Sequence, residues 1–159
     1  MKKIVLFLLG LALITSKTIT TSDLASAISQ ASAGDTIEIK SGTYTSVPYS
    51  LRSGSEGKPI TIKAAEGAKV VFVGTSTSCI FDTYGISYVN IEGPFEMKNA
   101  YCGAKLMNSN HVNVSGLTIH DVQYHGIVVS GHYNTIFNNE VYNRSEERRV
   151  GKECRSRWS

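Results

Sequence analysis

Three rings recur at one place in the period of this chain. Tyr88, His111 and Tyr133 stand at nearly equal intervals. Flat side chains at that spacing, carried on stacked coils, offer a platform to another flat, partly apolar face such as a sugar ring. The same ladder also suits a purely structural role, an external stack that holds neighbouring coils together. A second set repeats beside it, with Glu96, Thr118 and Glu140 in one column and Lys98, His120 and Tyr142 in the next. A calcium ion among these would need about six to eight oxygens at roughly 2.3–2.6 Å. Glu96 and Glu140 fall two coils apart, about 9.6 Å from the strand spacing, so this face reads as charged and solvated. His120, Asp121 and His125 are too few and too irregularly spaced for zinc. The residues define no metal ligand set and no catalytic group.

Cys79 and Cys102 stand at the same interval as Tyr88 and His111. Strands stacked about 4.8 Å apart permit a bridge, which wants Cα atoms at about 4.4–6.8 Å; a pair of stacked free thiols filling the interior fits equally well. His125 follows the same position and reads as a coil corner. Asn113, Val114 and Ser115 form an N-glycosylation sequon, with Asn113 expected to point outward from a strand.

These positions need an element that repeats. Residues 79–93 laid over 102–116 match Cys with Cys, Val89-Asn90 with Val112-Asn113, and Gly93 with Gly116, without a gap. Leu117 to Asp121 answers Phe95 to Asn99, with Pro94 as a one-residue insertion, and Asn139 to Asn143 answers both. Within each unit apolar residues alternate: Val89, Val112 and Asn134 form one inward column, Ile91, Val114 and Ile136 a second, Phe95, Leu117 and Asn139 a third, and Met97, Ile119 and Val141 a fourth. Two-fold alternation inside a longer repeat of nearly constant length, with one or no leucine at the matching places, excludes a leucine-rich repeat and predicts an all-β solenoid, a parallel β-helix.

The ends read differently. Lys2 and Lys3, an apolar run from Ile4 to Ile14 and then Thr15 and Ser16 have the layout of a secretory signal peptide, residues 1–16, cleaved after Ser16. Its length falls short of a comfortable bilayer span, and it predicts a secreted, extracellular protein with no membrane attachment once the leader is removed. Residues 144–159 lose the repeat, and they resemble the translation of a short-read sequencing adaptor; they read as a non-native tail, with the native frame interrupted after Asn143. That tail carries six basic and three acidic residues, the whole net charge of +3. Between Lys17 and Asn143 eight basic and ten acidic residues remain, so the basic balance is no argument for nucleic acid. The segment left, 17–143, is long enough for one domain and one core.

Taken in order, this domain starts with an extended lead-in at residues 18–22. A capping helix over 22–33 follows, with Ser22 as N-cap, Leu24, Ala27, Ile28 and Ala31 as its stripe and Gly34 as its stop. Short strands are expected around Ile37 and Ile39, over 59–63 and over 69–73, with an irregular loop at 45–58, and the clearest coils span 79–143. Leu24, Ala27, Ile28, Ala31, Gly34-Asp35-Thr36-Ile37 and Gly42-Thr43-Tyr44, then Gly54-Ser55 and Lys58-Pro59-Ile60-Thr61-Ile62-Lys63-Ala64, resemble the first coils of secreted right-handed parallel β-helix proteins that act on carbohydrates, among them polysaccharide lyases of the pectate, alginate and chondroitin type. The resemblance covers Leu24 to Asn143. It implies a right-handed, single-stranded parallel β-helix with an N-terminal capping α-helix, a polysaccharide partner, and removal of the proton α to a uronate carboxylate by a base assisted by Ca²⁺, Arg or Lys. In that family these groups lie on central coils further along, so no catalytic residue transfers to this sequence, and a Ca²⁺ requirement is left to the longer parent.

Two functions follow as expectations. The first is the N-terminal part of a secreted lyase-like protein for an acidic polysaccharide, itself without turnover, with Tyr88, His111 and Tyr133 as substrate contacts. The second is a non-catalytic β-helix surface, adhesion or glycan-binding protein. In either case an uncapped last coil offers an edge for self-association.

Overall fold

A computed structural model describes residues 17–45 and 47–145; the expected leader, 1–16, and residues 146–159 of the tail lie outside the described residues. Alternating apolar residues drive every coil. β1 (Thr18–Thr21), β2 (Thr36–Ile39), β4 (Ile60–Ala64) and the first half of β7 (Ser87–Lys98) stack in parallel on one face, continued by the middle of β8 (Cys102–His120) and by β10 (Thr135–Phe137). A second face stacks β3 (Gly42–Tyr44), β5 (Val70–Val73), the end of β7, the end of β8 and β11 (Glu140–Tyr142). The third holds β6 (Cys79–Tyr84), the start of β8 and β9 (Ile127–His132). All ladders are parallel, and the eleven strands form one continuous sheet, which makes the chain a parallel β-helix.

The inward columns fall where the alternation places them. Ile37, Ile62, Ile91, Val114 and Ile136 lie in register on successive coils, and the first four are at most 1% exposed. Phe72 stacks over Met97 and Ile119, and its ring packs within 5.5–5.8 Å of Tyr44, Tyr49, Phe81 and Phe95. Each such side chain contributes about 1.5–3 kcal/mol on leaving water. Pro94 is the insertion read from the repeat: the β7–β8 register shifts between Glu92 and Phe95. There Gly93 lies so close to Gly116 that a Cβ on it would collide with the Gly116 carbonyl oxygen.

Several boundaries differ from expectation. The helix, α1, spans Leu24–Gln30, shorter than 22–33. Its N-cap is Asp23, whose Oδ1 accepts from the Ser26 N–H at 3.0 Å, and Ala31 is already extended (ψ 140°). Ser22 is displaced from the cap because Asp23 is itself held by the Thr21 hydroxyl at 2.8 Å. Gly34 (φ 92°) serves the turn after the helix. Leu24, Ala27 and Ile28 are buried against the first coil as a lid. The lead-in is itself a strand, β1, and Gly42–Tyr44 adds a strand that was not expected from the sequence. The described residues of the expected loop, Thr45 and 47–58, are irregular, but Tyr49 and Leu51 reach the core, and Tyr49 bridges to Phe81. The structure joins Cys79 and Cys102 in a disulfide with Cα atoms 4.4 Å apart.

Candidate functional site

On the second face β7, β8 and β11 turn alternate residues to solvent, and the register sets Glu96 beside Thr118 and Glu140, and Lys98 beside His120 and Tyr142. The expected solvated face is more tightly organised than the sequence indicates. Lys98 Nζ donates to Glu96 Oε1 at 2.5 Å, His120 Nε2 lies 3.4 Å from the same oxygen, and His120 Nδ1 lies 2.8 Å from Asp121 Oδ2. The Tyr142 ring stacks on His120 at 5.0 Å and 6°. Together with Lys69 and Pro94, Glu96, Thr118, His120 and Tyr142 of this wall line a groove of about 510 Å³. Asp121 escaped sequence reasoning as a partner because it leaves the strand at a left-handed corner (φ 53°).

The chemistry of this wall is self-neutralising. The Lys98 hydrogen bond holds the Glu96 carboxyl below the ordinary glutamate range; partial burial opposes this, and the Lys98 charge and His120 reinforce it. A carboxylate held in its ionised form is a weak base, poorly matched to abstracting a proton from carbon. Both His120 nitrogens face carboxylate oxygens, and Lys98 is committed to Glu96. The wall therefore offers hydrogen-bonding edges to a ligand, with Glu96, Lys98 and His120 engaged with one another or with Asp121 and with Lys69 across the groove as a cation outside that network.

At the corner before the first face, Tyr88, His111 and Tyr133 do stack: the rings are 4.7 and 4.8 Å apart and within 3° and 12° of parallel. All three take left-handed backbone angles (φ 58°, 54° and 59°), a conformation that costs non-glycine residues roughly 1–2 kcal/mol and that ring stacking of about 0.5–1.5 kcal/mol per pair offsets in part. Because the rings face one another, they turn edges, hydroxyls and an imidazole to solvent. Beside them Asn113 Nδ2 donates to Asn90 Oδ1 at 2.9 Å, and Asn90 Nδ2 to Thr61 Oγ1 at 3.3 Å. Rings and amides line a shallow polar groove of about 280 Å³. The sequon nitrogen of Asn113, an exposed residue on the central strand β8, is thus engaged in a ladder.

Asn134 and Asn139 point inward as expected, and do more than fill space. Asn134 accepts from the Val112 N–H at 3.0 Å and donates to the Ser109 carbonyl at 2.8 Å; Asn139 does the same for Leu117 N–H and the Val114 carbonyl at 3.0 and 2.9 Å. Each amide closes a corner of the coil before it. His125 is half-buried against Tyr124, with ring centroids 3.9 Å apart. Among the described residues no cluster of three or more His, Cys, Asp or Glu has the arrangement of a metal site, and no helix is long and apolar enough to cross a membrane.

Comparison with known proteins adds to this geometry. The family described as Chondroitinase B matches residues 18–122. Pectate lyase L of Dickeya chrysanthemi is 28% identical over 142 residues, covering 79% of this chain and 33% of that protein. The uncharacterized protein YwoF of Bacillus subtilis (strain 168) is 31% identical over 115 residues, covering 68% of this chain and 21% of its own length. The crystal structure of alginate lyase from Paenibacillus sp. str. FPU-7 superposes with a TM-score of 0.67 at 30% identity, over 77% of this chain and 44% of that one. The chain thus spans about a third of the length of the pectate lyase it matches.

Proposed function

This chain belongs to the Chondroitinase B family of polysaccharide-lyase-like β-helix proteins, and we propose that it comes from a secreted protein acting on an acidic polysaccharide, to which residues 17–145 contribute a glycan-contact wall without turnover. The names of its relatives, pectate lyase and alginate lyase, specify uronate polymers. The observation that carries the reading is the corner shelf, where Tyr88, His111 and Tyr133 lie on successive coils beside the Asn90 and Asn113 amides. Ring edges, phenol hydroxyls and amides at one-coil spacing suit the hydroxyls and ring oxygens of a polymer laid along the helix axis. The committed state of Glu96, Lys98 and His120 supports the lack of turnover.

Titration calorimetry of the chain with polygalacturonate, alginate and chondroitin tests the wall. At least one polymer binds, and Tyr133→Phe, which removes one neutral hydrogen-bonding group worth roughly 0.5–1.5 kcal/mol, weakens that binding about two- to twelvefold. Binding of none of the three, or binding indifferent to Tyr133→Phe and His111→Ala alike, sinks the proposal. Appearance of unsaturated uronide in the same mixtures would refute the absence of turnover.

A further inference from the structure

Asp35 is the one buried charged side chain among the described residues, at 2% exposure. It sits between α1 and β2. Its Oδ2 accepts from the Ser32 N–H at 2.9 Å and its Oδ1 from the main-chain N–H of Lys17 at 3.0 Å. The Lys17 Nζ reaches only to 3.9 Å, with its side chain 54% exposed. Lys17 is pinned from its other side too, since its carbonyl accepts from the Thr36 N–H at 2.9 Å. A buried carboxylate is costly without a close counterion, and here the closest donors are neutral peptide groups. The nitrogen that Asp35 holds is the atom on the far side of Ser16, where the leader pattern ends.

We infer that the Ser16–Lys17 peptide bond is a processing site, and that the α-ammonium group released on Lys17 is the counterion of the buried Asp35 carboxylate. Hydrolysis consumes one water, leaving a carboxylate on Ser16 and the two hydrogens that complete an ammonium on Lys17. The amide N–H that already points at Oδ1 then carries a full positive charge with no movement of the backbone. Removal of the leader thereby clamps β1 to β2 and seats the α1 lid on the first coil, so that folding strength is gained only after cleavage. The inference rests on the export reading for the protease that acts; the pairing with Asp35 is tested separately from both export and glycan binding.

Secretion of the full chain followed by N-terminal sequencing gives Lys17 as the first residue; any other first residue overturns the processing site. For the pairing, chains beginning at Ser16 and at Lys17, both running to Ser159, are unfolded in urea. An amine that gains a carboxylate partner has a raised folded-state pKa, so its contribution is fully present below the unfolded value of about 7.7–8.0 and is lost as pH rises through the folded value. The charged groups facing it are Asp35 and the Lys17 side chain itself. Below pH 7 the chain starting at Lys17 shows a folding constant roughly tenfold larger, equivalent to one pKa unit, and Asp35→Asn abolishes the difference. Equal midpoints for the two chains overturn the pairing. Should Asp35→Asn not fold, acylation of the α-amine at neutral pH replaces it: labelling is slower for the folded chain starting at Lys17 than for the one starting at Ser16, and equal rates are the overturning result.

Discussion

Joining Cys79 to Cys102 closes a loop between positions 23 apart in sequence, and both side chains are buried at the start of β6 and β8. In the chain-entropy account a loop of this size removes unfolded-state freedom worth about 3 kcal/mol at room temperature. The bridge spans two adjacent coils whose strands are already in register, so its effect falls mainly on the unfolded chain. The perturbation is the Cys79→Ala/Cys102→Ala double variant, unfolded in urea beside the unreduced and the dithiol-reduced protein. Reduction and double substitution lower the stability by similar amounts, about 3 kcal/mol, with the reduced protein then indifferent to the substitutions beyond the small loss of sulfur packing. Thiol counting in denaturant gives an independent answer: the chain has three cysteines, so the unreduced protein titrates one thiol and the reduced protein three. Three thiols without reductant, or midpoints unmoved by reductant, would refute the bridge and restore the alternative of two stacked free thiols.

Two further outcomes follow from the same coils. Because Glu96 is held below the ordinary glutamate value of 4.5, chiefly by Lys98, its contribution is present above the unfolded-state pKa and is lost as pH falls through the folded one; urea midpoints of Glu96→Gln therefore fall less steeply with acid than those of the parent, and superimposable acid limbs would contradict the geometry. Gly93→Ala forces a Cβ against the Gly116 carbonyl, so the corner must open at a cost of about 1–3 kcal/mol. A thermal midpoint equal to that of the parent would show that the two glycines are not in contact.

The inward columns were legible because Val89, Ile91, Phe95 and Met97 alternate with polar residues and repeat, with Pro94 as the one insertion, in Val112, Val114, Leu117 and Ile119. Short pieces whose partners lie at irregular distances were not. Gly42–Tyr44 carries one buried side chain, and its partner strand, Val70–Val73, lies beyond an irregular loop and a further strand, so neither alternation nor period marks it. Ser22 and Asp23 are both good cap formers, and only the Thr21 hydroxyl decides between them. The ladder of Tyr88, His111 and Tyr133 was legible as a stack, whereas the facing of its rings depends on left-handed corners that aromatic residues rarely adopt. Asp35 gave no signal as an anchor, since its partner Lys17 lies on the far side of a helix in the sequence.

The column of Ile37, Ile62, Ile91, Val114 and Ile136 has a mechanical implication. An object that repeats itself by translation along one axis has no preferred length, because each rung meets only the rung above and the rung below. Exposure shows it: Val114 is at 0% and Ile136, one rung further, is at 48%. A deletion of one whole period should therefore subtract a fixed increment of stability and leave distant rungs undisturbed. Loss of a single residue inside β8 would instead turn every later side chain on that rung inside out.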